Sequence, residues 1–161
     1  MAREYVISSG GFTVVNAVCT LVAAMPSATV GFEVIRAWVG QSGSTTSAQQ
    51  RIQLATKVTA FQTVTSVTPQ KLKINDPVSG IAGDTTIAAG KCGVNASAEG
   101  AGPLTVLWED VFNVLNGWLW VPTPDERIIM PPGTSSAFCI YFPVAPSSLT
   151  NWSAGMVIKE I

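Results

Sequence analysis

Three carboxylates near tryptophans, Asp110, Asp125 and Glu126, are the residues of this chain best suited to acid–base chemistry. Glycoside hydrolysis, for example, needs two well-placed Asp or Glu side chains. Asp125 and Glu126 follow Pro124 in a proline-rich turn, where acids are usually solvated. Asp110 lies where a turn or a short helix is expected to begin, and acids favour that position too. We therefore predict that the chain has no catalytic residues.

The rest of the amino-acid composition also argues against an enzyme. The chain contains no histidine, and only 12% of its residues are Asp, Glu, Lys or Arg. Serine and cysteine triads need a histidine base, and proton transfer in general needs titratable side chains. Cys19, Cys92 and Cys139 are far apart in the sequence, and without histidine they are a poor basis for a zinc site. The sequence predicts a non-enzymatic protein with no metal and no cofactor.

Charge and hydropathy narrow the set of partners. A net charge of −1 gives no electrostatic reason to bind nucleic acid or an anionic membrane. A bilayer span needs about 20 apolar residues, and the most apolar run, residues 14–25, is interrupted by Asn16 and Thr20. Because 47% of the residues are hydrophobic and few are charged, much apolar surface has to be covered. Contact with other protein chains is one way to cover it.

The elements that must position these residues are β-strands. Short runs rich in Val, Thr and Ala alternate with Gly, Pro, Ser and Asn, which is typical of an antiparallel sandwich. We predict an all-β, jelly-roll-like antiparallel β-sandwich of roughly eight to ten short strands, in one domain over residues 1–161. In one strand, the alternation places Phe138, Ile140 and Phe142 on the same face. In another, it places Phe32, Val34 and Trp38 on the same face. Over residues 51–57 the alternation directs Lys57 to solvent.

Two segments look less regular than the rest. Residues 1–11 are predicted as a possible N-terminal arm. Residues 75–103 form one long Gly/Ala/Thr-rich loop without aromatic residues, with a short strand near Thr85 to Ala88. A loop of this length is uncommon in a compact domain unless it has a function. It is either a surface excursion or an arm that lies over a neighbouring subunit.

A protein interface is predicted at five residues, which are Phe12, Asp76, Asn95, Trp118 and Trp120. The two tryptophans share one face of a strand candidate. Aromatic residues contribute strongly both to cores and to interfaces, so these two fill either the core or a seam between subunits. Exposed tryptophans that stack on sugars are the alternative.

Residues 38–43 (WVGQSG), 117–128 (GWLWVPTPDERI) and 159–161 (KEI) carry a resemblance. The chain resembles small virion proteins of tailed bacteriophages, in particular head decoration (cement) proteins and related head or tail accessory proteins. The resemblance implies a β-rich, commonly jelly-roll-like fold, self-association as a homo-oligomer (a trimer is favoured) and binding to the major capsid protein. The resemblance does not identify any functional residue in this chain.

The function expected from these observations is structural. The chain would be made in the cytoplasm of a bacterial host, bind the capsid exterior of the virion, and stabilise the head by bridging capsid subunits. The alternative is a tail- or fibre-associated adhesin, or a carbohydrate-binding β-sandwich module.

Overall fold

The computed structural model describes residues 3–15 and 19–161. Alternating, β-branched and aromatic sequences build its strands. The strands are β1 Arg3–Phe12, β2 Cys19–Ala24, β3 Phe32–Gln41, β4 Gln49–Val58, β5 Thr63–Ser66, β6 Gln70–Lys71, β7 Ala82–Gly83, β8 Lys91–Ala98, β9 Leu104–Asn113, β10 Trp118–Trp120, β11 Ile128–Met130, β12 Ser136–Phe142 and β13 Trp152–Glu160. A single 3-10 turn, Pro124–Glu126, precedes β11. The all-β prediction is confirmed, with more strands than predicted.

The strands form two sheets that pack as a sandwich. Sheet A has the order β10-β3-β13-β1-β6, with β11 also paired to β3. Sheet B has the order β5-β8-β2-β12-β4-β9, with β7 paired to β8. Neighbouring strands are antiparallel, apart from the short parallel pair of β7 and β8. One hydrophobic core lies between the sheets.

The connectivity is that of a jelly roll. In sheet A, β1, β13, β3 and β10 are neighbours in that order, and in sheet B the corresponding run is β2, β12, β4 and β9. This is the arrangement of eight strands in two Greek keys. The predicted jelly-roll-like sandwich is therefore confirmed. The five remaining strands are β11 and the four that an insertion between β4 and β9 contributes.

The prediction for residues 75–103 needs correction. They belong to the insertion at 59–103, and β8 within them pairs with β2 on one side and β5 on the other. The glycines serve close packing, because a Cβ at Gly93 would lie 2.3 Å from a methyl group of Val64. No strand forms over residues 85–88; instead, Thr86 makes an isolated bridge to Thr63. The segment is thus part of sheet B rather than one extended loop.

The predicted N-terminal arm is also a strand over its described part. Residues 3–11 belong to β1, which pairs with β13 along most of its length and with β6 on its other side. Tyr5 and Ile7 are fully buried in the core, and this burial holds the segment in the sandwich. Residues 1 and 2 of the predicted arm lie outside the described residues.

A β-bulge changes which side chains of β3 share a face. Val157 of β13 opposes Arg36, whereas the next residue, Ile158, opposes Val34. One extra residue, Ile35, therefore shifts the alternation. Phe32 and Val34 are buried in the core, but Trp38 lies on the opposite face, next to the buried Ala37. The prediction that Trp38 shares a face with Phe32 and Val34 is wrong for this reason.

The strand β12 lies in the middle of sheet B and is covered on both faces. Phe138, Ile140 and Phe142 point to the core as predicted, and all three are fully buried. The intervening Ala137 and Cys139 are also fully buried. The insertion covers this second face of sheet B, where it also buries Lys57.

Candidate protein-interaction surfaces

The outer face of sheet A carries a tryptophan that lies across its neighbour strand. Trp38 opposes Gly155 in the register. A Cβ at Gly155 would lie 2.3 Å from the indole ring, so only glycine leaves room for the ring there. The Arg36 guanidinium lies over the ring, 5.6 Å from its centroid, which is a cation–π distance. Trp38 is therefore held in one orientation and is half-buried.

Three apolar side chains extend this surface toward solvent. Leu119, in register with Trp38, is 64% exposed, and Val121 and Ile129 are exposed to a similar extent. An uncovered group of this kind on a folded chain marks an interaction site more often than scattered single residues do. We call the surface formed by Trp38, Leu119, Val121 and Ile129 the sheet A face.

An ion-pair network borders the sheet A face. The carboxylate of Glu33 accepts hydrogen bonds from Arg127 and Lys159, both at 3.3 Å. All three side chains are partly buried, which lessens solvent screening of their interaction. The surface thus has an apolar part beside a charged part, which is the anatomy of many protein interfaces.

A second uncovered region is β9, the last strand of sheet B. Within the described residues its only strand partner is β4, so its other edge is open. Every residue from Thr105 to Val111 is exposed, and Trp108 is 48% exposed. Native edge strands are usually short or carry Lys or Pro that discourage pairing. The ten-residue β9 has neither residue, and we call it the β9 edge.

Hydrogen bonds fix the acids of the β9 edge. The Glu109 carboxylate accepts hydrogen bonds from Gln53 and, at 2.8 Å, from Arg51. These bonds lower the pKa of Glu109. Asp110 accepts from the indole of Trp118 at 3.1 Å and from the backbone N–H of Val111 at 2.7 Å. Both acids remain exposed.

The insertion holds a cavity of about 600 Å³ beside β6. Its apolar lining includes Pro69, Ile74, Val78 and Ile81, and Lys71 contributes a positive charge. Ile74 is 91% exposed, so the cavity has an apolar rim that no other part of the described chain covers. We call this region the insertion cavity.

Where the insertion crosses sheet B, it encloses a group of polar side chains. Lys57 is only 2% exposed, and its ammonium donates to the carbonyl of Gly100 at 3.2 Å. Gln62 donates to the Thr20 hydroxyl at 3.0 Å. Thr20 in turn donates to Glu99 through its backbone N–H and its hydroxyl. The predicted exposure of Lys57 is wrong because this cover cannot be read from the strand alternation.

The three cysteines are buried free thiols. Burial raises the pKa of Cys19, Cys92 and Cys139 to about 12 in each case. Because the thiolate is the nucleophilic form, these thiols are poorly reactive at neutral pH. Over residues 3–15 and 19–161 there is no group of three or more Cys, Asp or Glu side chains placed to hold a metal.

Two of the three carboxylates considered for catalysis, Asp110 and Glu126, have structural partners. Asp110 binds Trp118 as described, and Glu126 accepts a hydrogen bond from the Thr123 hydroxyl at 2.9 Å. Thr123 and Glu126 form a capping box around the 3-10 turn that also contains Asp125. The acids therefore stabilise local turns and strand contacts.

The predicted interface residues Trp118 and Trp120 lie in the core. They share a face of β10, as predicted, but each is only 8% exposed. They oppose Val39 and Ala37, which also point inward. Both side chains are buried within the described chain because β10 closes the sandwich instead of adding to its exterior, and their interface role stays a prediction.

The other three predicted residues are half-buried. Phe12 opposes the fully buried Trp152 and packs against the core. Asp76 follows the exposed Ile74, and Asn95 has a positive φ of 49° in β8. Asp76 and Asn95 each have one buried side-chain oxygen without a hydrogen-bond partner. The interface role of Phe12, Asp76 and Asn95 stays a prediction.

The sequence analysis missed the residues that form the uncovered surfaces, above all Trp108, Leu119 and Ile74. One signal was present for Trp108. The run from Leu104 to Phe112 has apolar residues on both strand faces and no Lys or Pro, which is unusual for a strand with an open edge.

Searches against protein-family models, curated proteins and solved structures found no match to the chain. In the part of the chain that the structure describes, no helix has the length and apolar character needed to cross a bilayer. Fold and surfaces together define a jelly-roll β-sandwich with apolar regions left uncovered at the sheet A face, the β9 edge and the insertion cavity.

Proposed function

We propose that the chain is a structural protein of a tailed-phage virion. It binds the major capsid protein on the outside of the head, bridges neighbouring capsid subunits and associates with further copies of itself. The observation that carries the proposal is the sheet A face, where apolar side chains stay exposed around a tryptophan that packs over Gly155 and contacts Arg36. The jelly roll is consistent with it, since this architecture recurs in viral capsid proteins.

The sheet A face suits contact with a broad protein surface. Anchoring aromatic residues beside a charged border are typical of interface hot spots. Trp38 is already held in place, so little conformational entropy is lost when it is covered. Several copies that bind neighbouring capsid subunits at once would hold them together more strongly than one contact does.

The test is binding to empty heads of the phage that encodes the chain, prepared without this protein. Wild-type protein should co-sediment with the heads and raise the temperature at which they open. Leu119→Asp should weaken binding by about tenfold or more, the loss expected when an interface residue worth over about 1.4 kcal/mol is removed. Val144→Asp, at an exposed apolar residue outside the sheet A face, is the matched control and should bind normally.

Two results would overturn the proposal. The first is wild-type protein that fails to bind these heads. The second is equal weakening by Leu119→Asp and Val144→Asp, since the effect would then not be specific to the sheet A face.

A second candidate is binding of host glycans by a tail or fibre component. Trp108 favours it, because this residue is 48% exposed and shares its face of β9 with the carboxylate of Asp110, and sugar-binding sites combine an aromatic face with polar groups. Jelly rolls also occur in lectins. A glycan array probed with wild-type protein and Trp108→Ala tests this candidate. Binding that disappears in the variant supports it, and no binding by wild-type protein contradicts it.

A further inference from the structure

We propose that copies of this chain join head to tail, with the β9 edge of one copy bound in the insertion cavity of the next. Trp108 enters the cavity, and Asp110, which shares its face of β9, faces Lys71 in the lining and the nearby Lys73. This contact deepens the self-association included in the proposed function and names the two surfaces that make it.

The two surfaces match in shape and polarity. The β9 edge presents one large exposed aromatic side chain, Trp108, among exposed Val106 and Leu107. The insertion cavity offers about 600 Å³ lined by apolar side chains, within the range of volumes that hold a ligand. Tryptophans that fill apolar pockets are the side chains that most often dominate binding energy at interfaces.

The charges also match. The β9 edge has two exposed acids, Glu109 and Asp110, and no basic residue in the strand itself. The segment beside the cavity, residues 70–74, has Lys71 and Lys73 and no acid. Glu109 lies on the opposite face from Trp108 and already pairs with Arg51. On the cavity side, Asp76 lies half-buried near the rim and the lining residue Ser79 donates to the Glu160 carboxylate, so the complementarity is partial and is carried by Asp110 and Lys71. It still disfavours pairing of one β9 edge with another, which would bring like charges together.

The topology places the two surfaces at opposite ends of the sandwich. β6 is the last strand of sheet A and β9 is the last strand of sheet B. The β9 end is joined to β10 through the Asp110–Trp118 hydrogen bond, whereas the β6 end lies where β1 packs across from β8. A contact between two different surfaces is heterologous, and it gives a closed ring when the rotation per copy closes. A ring of this kind is compatible with the trimer predicted from the sequence.

The experiment measures mass by light scattering coupled to size exclusion, over a wide concentration range. Wild-type protein should form a closed oligomer. Trp108→Asp and Ile74→Asp should each reduce the mass to that of one chain. Both residues are exposed, so the fold should persist, and circular dichroism checks this. Leu119→Asp, on the sheet A face, should leave the oligomer intact and serves as the matched control.

Mixing the two variants gives the sharper result. Trp108→Asp keeps an intact cavity and Ile74→Asp keeps an intact β9 edge, so an equimolar mixture should form a one-to-one heterodimer and nothing larger. A monomeric wild-type protein, an oligomer that survives Ile74→Asp, or a mixture that stays monomeric would each overturn the proposal. Wild-type protein that is monomeric but binds phage heads would reject this contact and the proposed self-association, and would leave only the proposed binding to the capsid standing. A closed oligomer that fails to bind heads would reject the proposed binding to the capsid and leave the contact between copies standing.

Discussion

The strands β12 and β9 belong to the same sheet and are separated by β4 alone, yet their environments are opposite. β12 is covered on both faces, by the core and by the insertion, whereas β9 is exposed from Thr105 to Val111. Both sequences are mostly apolar or aromatic, with six of seven residues in β12 and six of ten in β9. Position in the sheet therefore contributes to which strand is buried, in addition to hydrophobicity. An apolar strand that its own chain leaves uncovered is the one expected to meet a partner.

The largest contrast should come from truncating one aromatic side chain in each strand. Phe138→Ala in β12 removes a fully buried ring and should lower the free energy of unfolding by about 3–5 kcal/mol. Trp108→Ala in β9 should change it by about 1 kcal/mol or less, because about half of the residue is already exposed in the folded chain. Urea unfolding followed by circular dichroism, on dilute monomeric protein, checks both values. Equal losses would contradict the difference in burial.

The close packing of the insertion over the second face of sheet B can be tested by substituting a glycine. A Cβ at Gly102 would lie 1.9 Å from the carbonyl oxygen of Thr59. Gly102→Ala should therefore separate the two crossing segments of the insertion and cost about 1–3 kcal/mol, as overpacking does. Gly40→Ala is the control, because a Cβ there meets nothing within 4 Å. Thermal unfolding distinguishes the two variants, and a neutral Gly102→Ala would mean that the segments do not pack closely.

Alkaline pH should lower the free energy of unfolding through the buried Cys139 thiol of β12. Burial raises the pKa of Cys139 from 9.0 to about 12. Below pH 9 the thiol is protonated in both states; above it the unfolded state loses the proton first, so stability falls as pH rises toward 12. The loss for this thiol at pH 10 is on the order of 1 kcal/mol. Wild-type protein should therefore lose stability more steeply than Cys139→Ala between pH 8 and 10, and parallel curves would refute the burial argument.

The smallest effect concerns the attachment of β9 to β10. Asp110→Ala removes the acceptor for the mostly buried indole of Trp118, and should cost about 0.5–1.5 kcal/mol. Asp110→Asn keeps a side-chain oxygen that accepts the same bond, so it should be closer to wild type. Chemical denaturation of the two variants measures the difference. An equal loss in both would show that charge, not the hydrogen bond, is responsible.

Most of the architecture was predictable from local patterns. Alternation identified the core face of β12 through Phe138 and Phe142, and the turn residues indicated a sandwich. Two features of the fold could not be predicted from local sequence patterns. The bulge at Ile35 moved Trp38 to the outer face, and a bulge of one residue leaves no clear mark in the sequence. The glycine-rich composition around Gly93 suggested a loop, although there it permits close strand packing.

The candidate surfaces were harder to predict than the fold. Trp108 and Trp118 lie in β9 and β10, two strands that follow each other in the chain. Trp118 lies in the core, whereas Trp108 is half exposed. That difference depends on which strand closes the sandwich, and sheet order is a long-range property. Interface residues chosen for their residue type alone therefore included two core tryptophans and missed the exposed one.

The most direct test of the account is hydrogen exchange of β9, measured by mass spectrometry on dilute and on concentrated wild-type protein. The account predicts fast exchange, in dilute protein, of the β9 amides that point away from β4, and clear protection of these amides after assembly, while β12 stays protected throughout. Trp108→Asp should keep β9 in fast exchange at both concentrations. Exchange of wild-type β9 that is equally fast in dilute and concentrated protein would contradict the claim that the β9 edge is covered by a second copy.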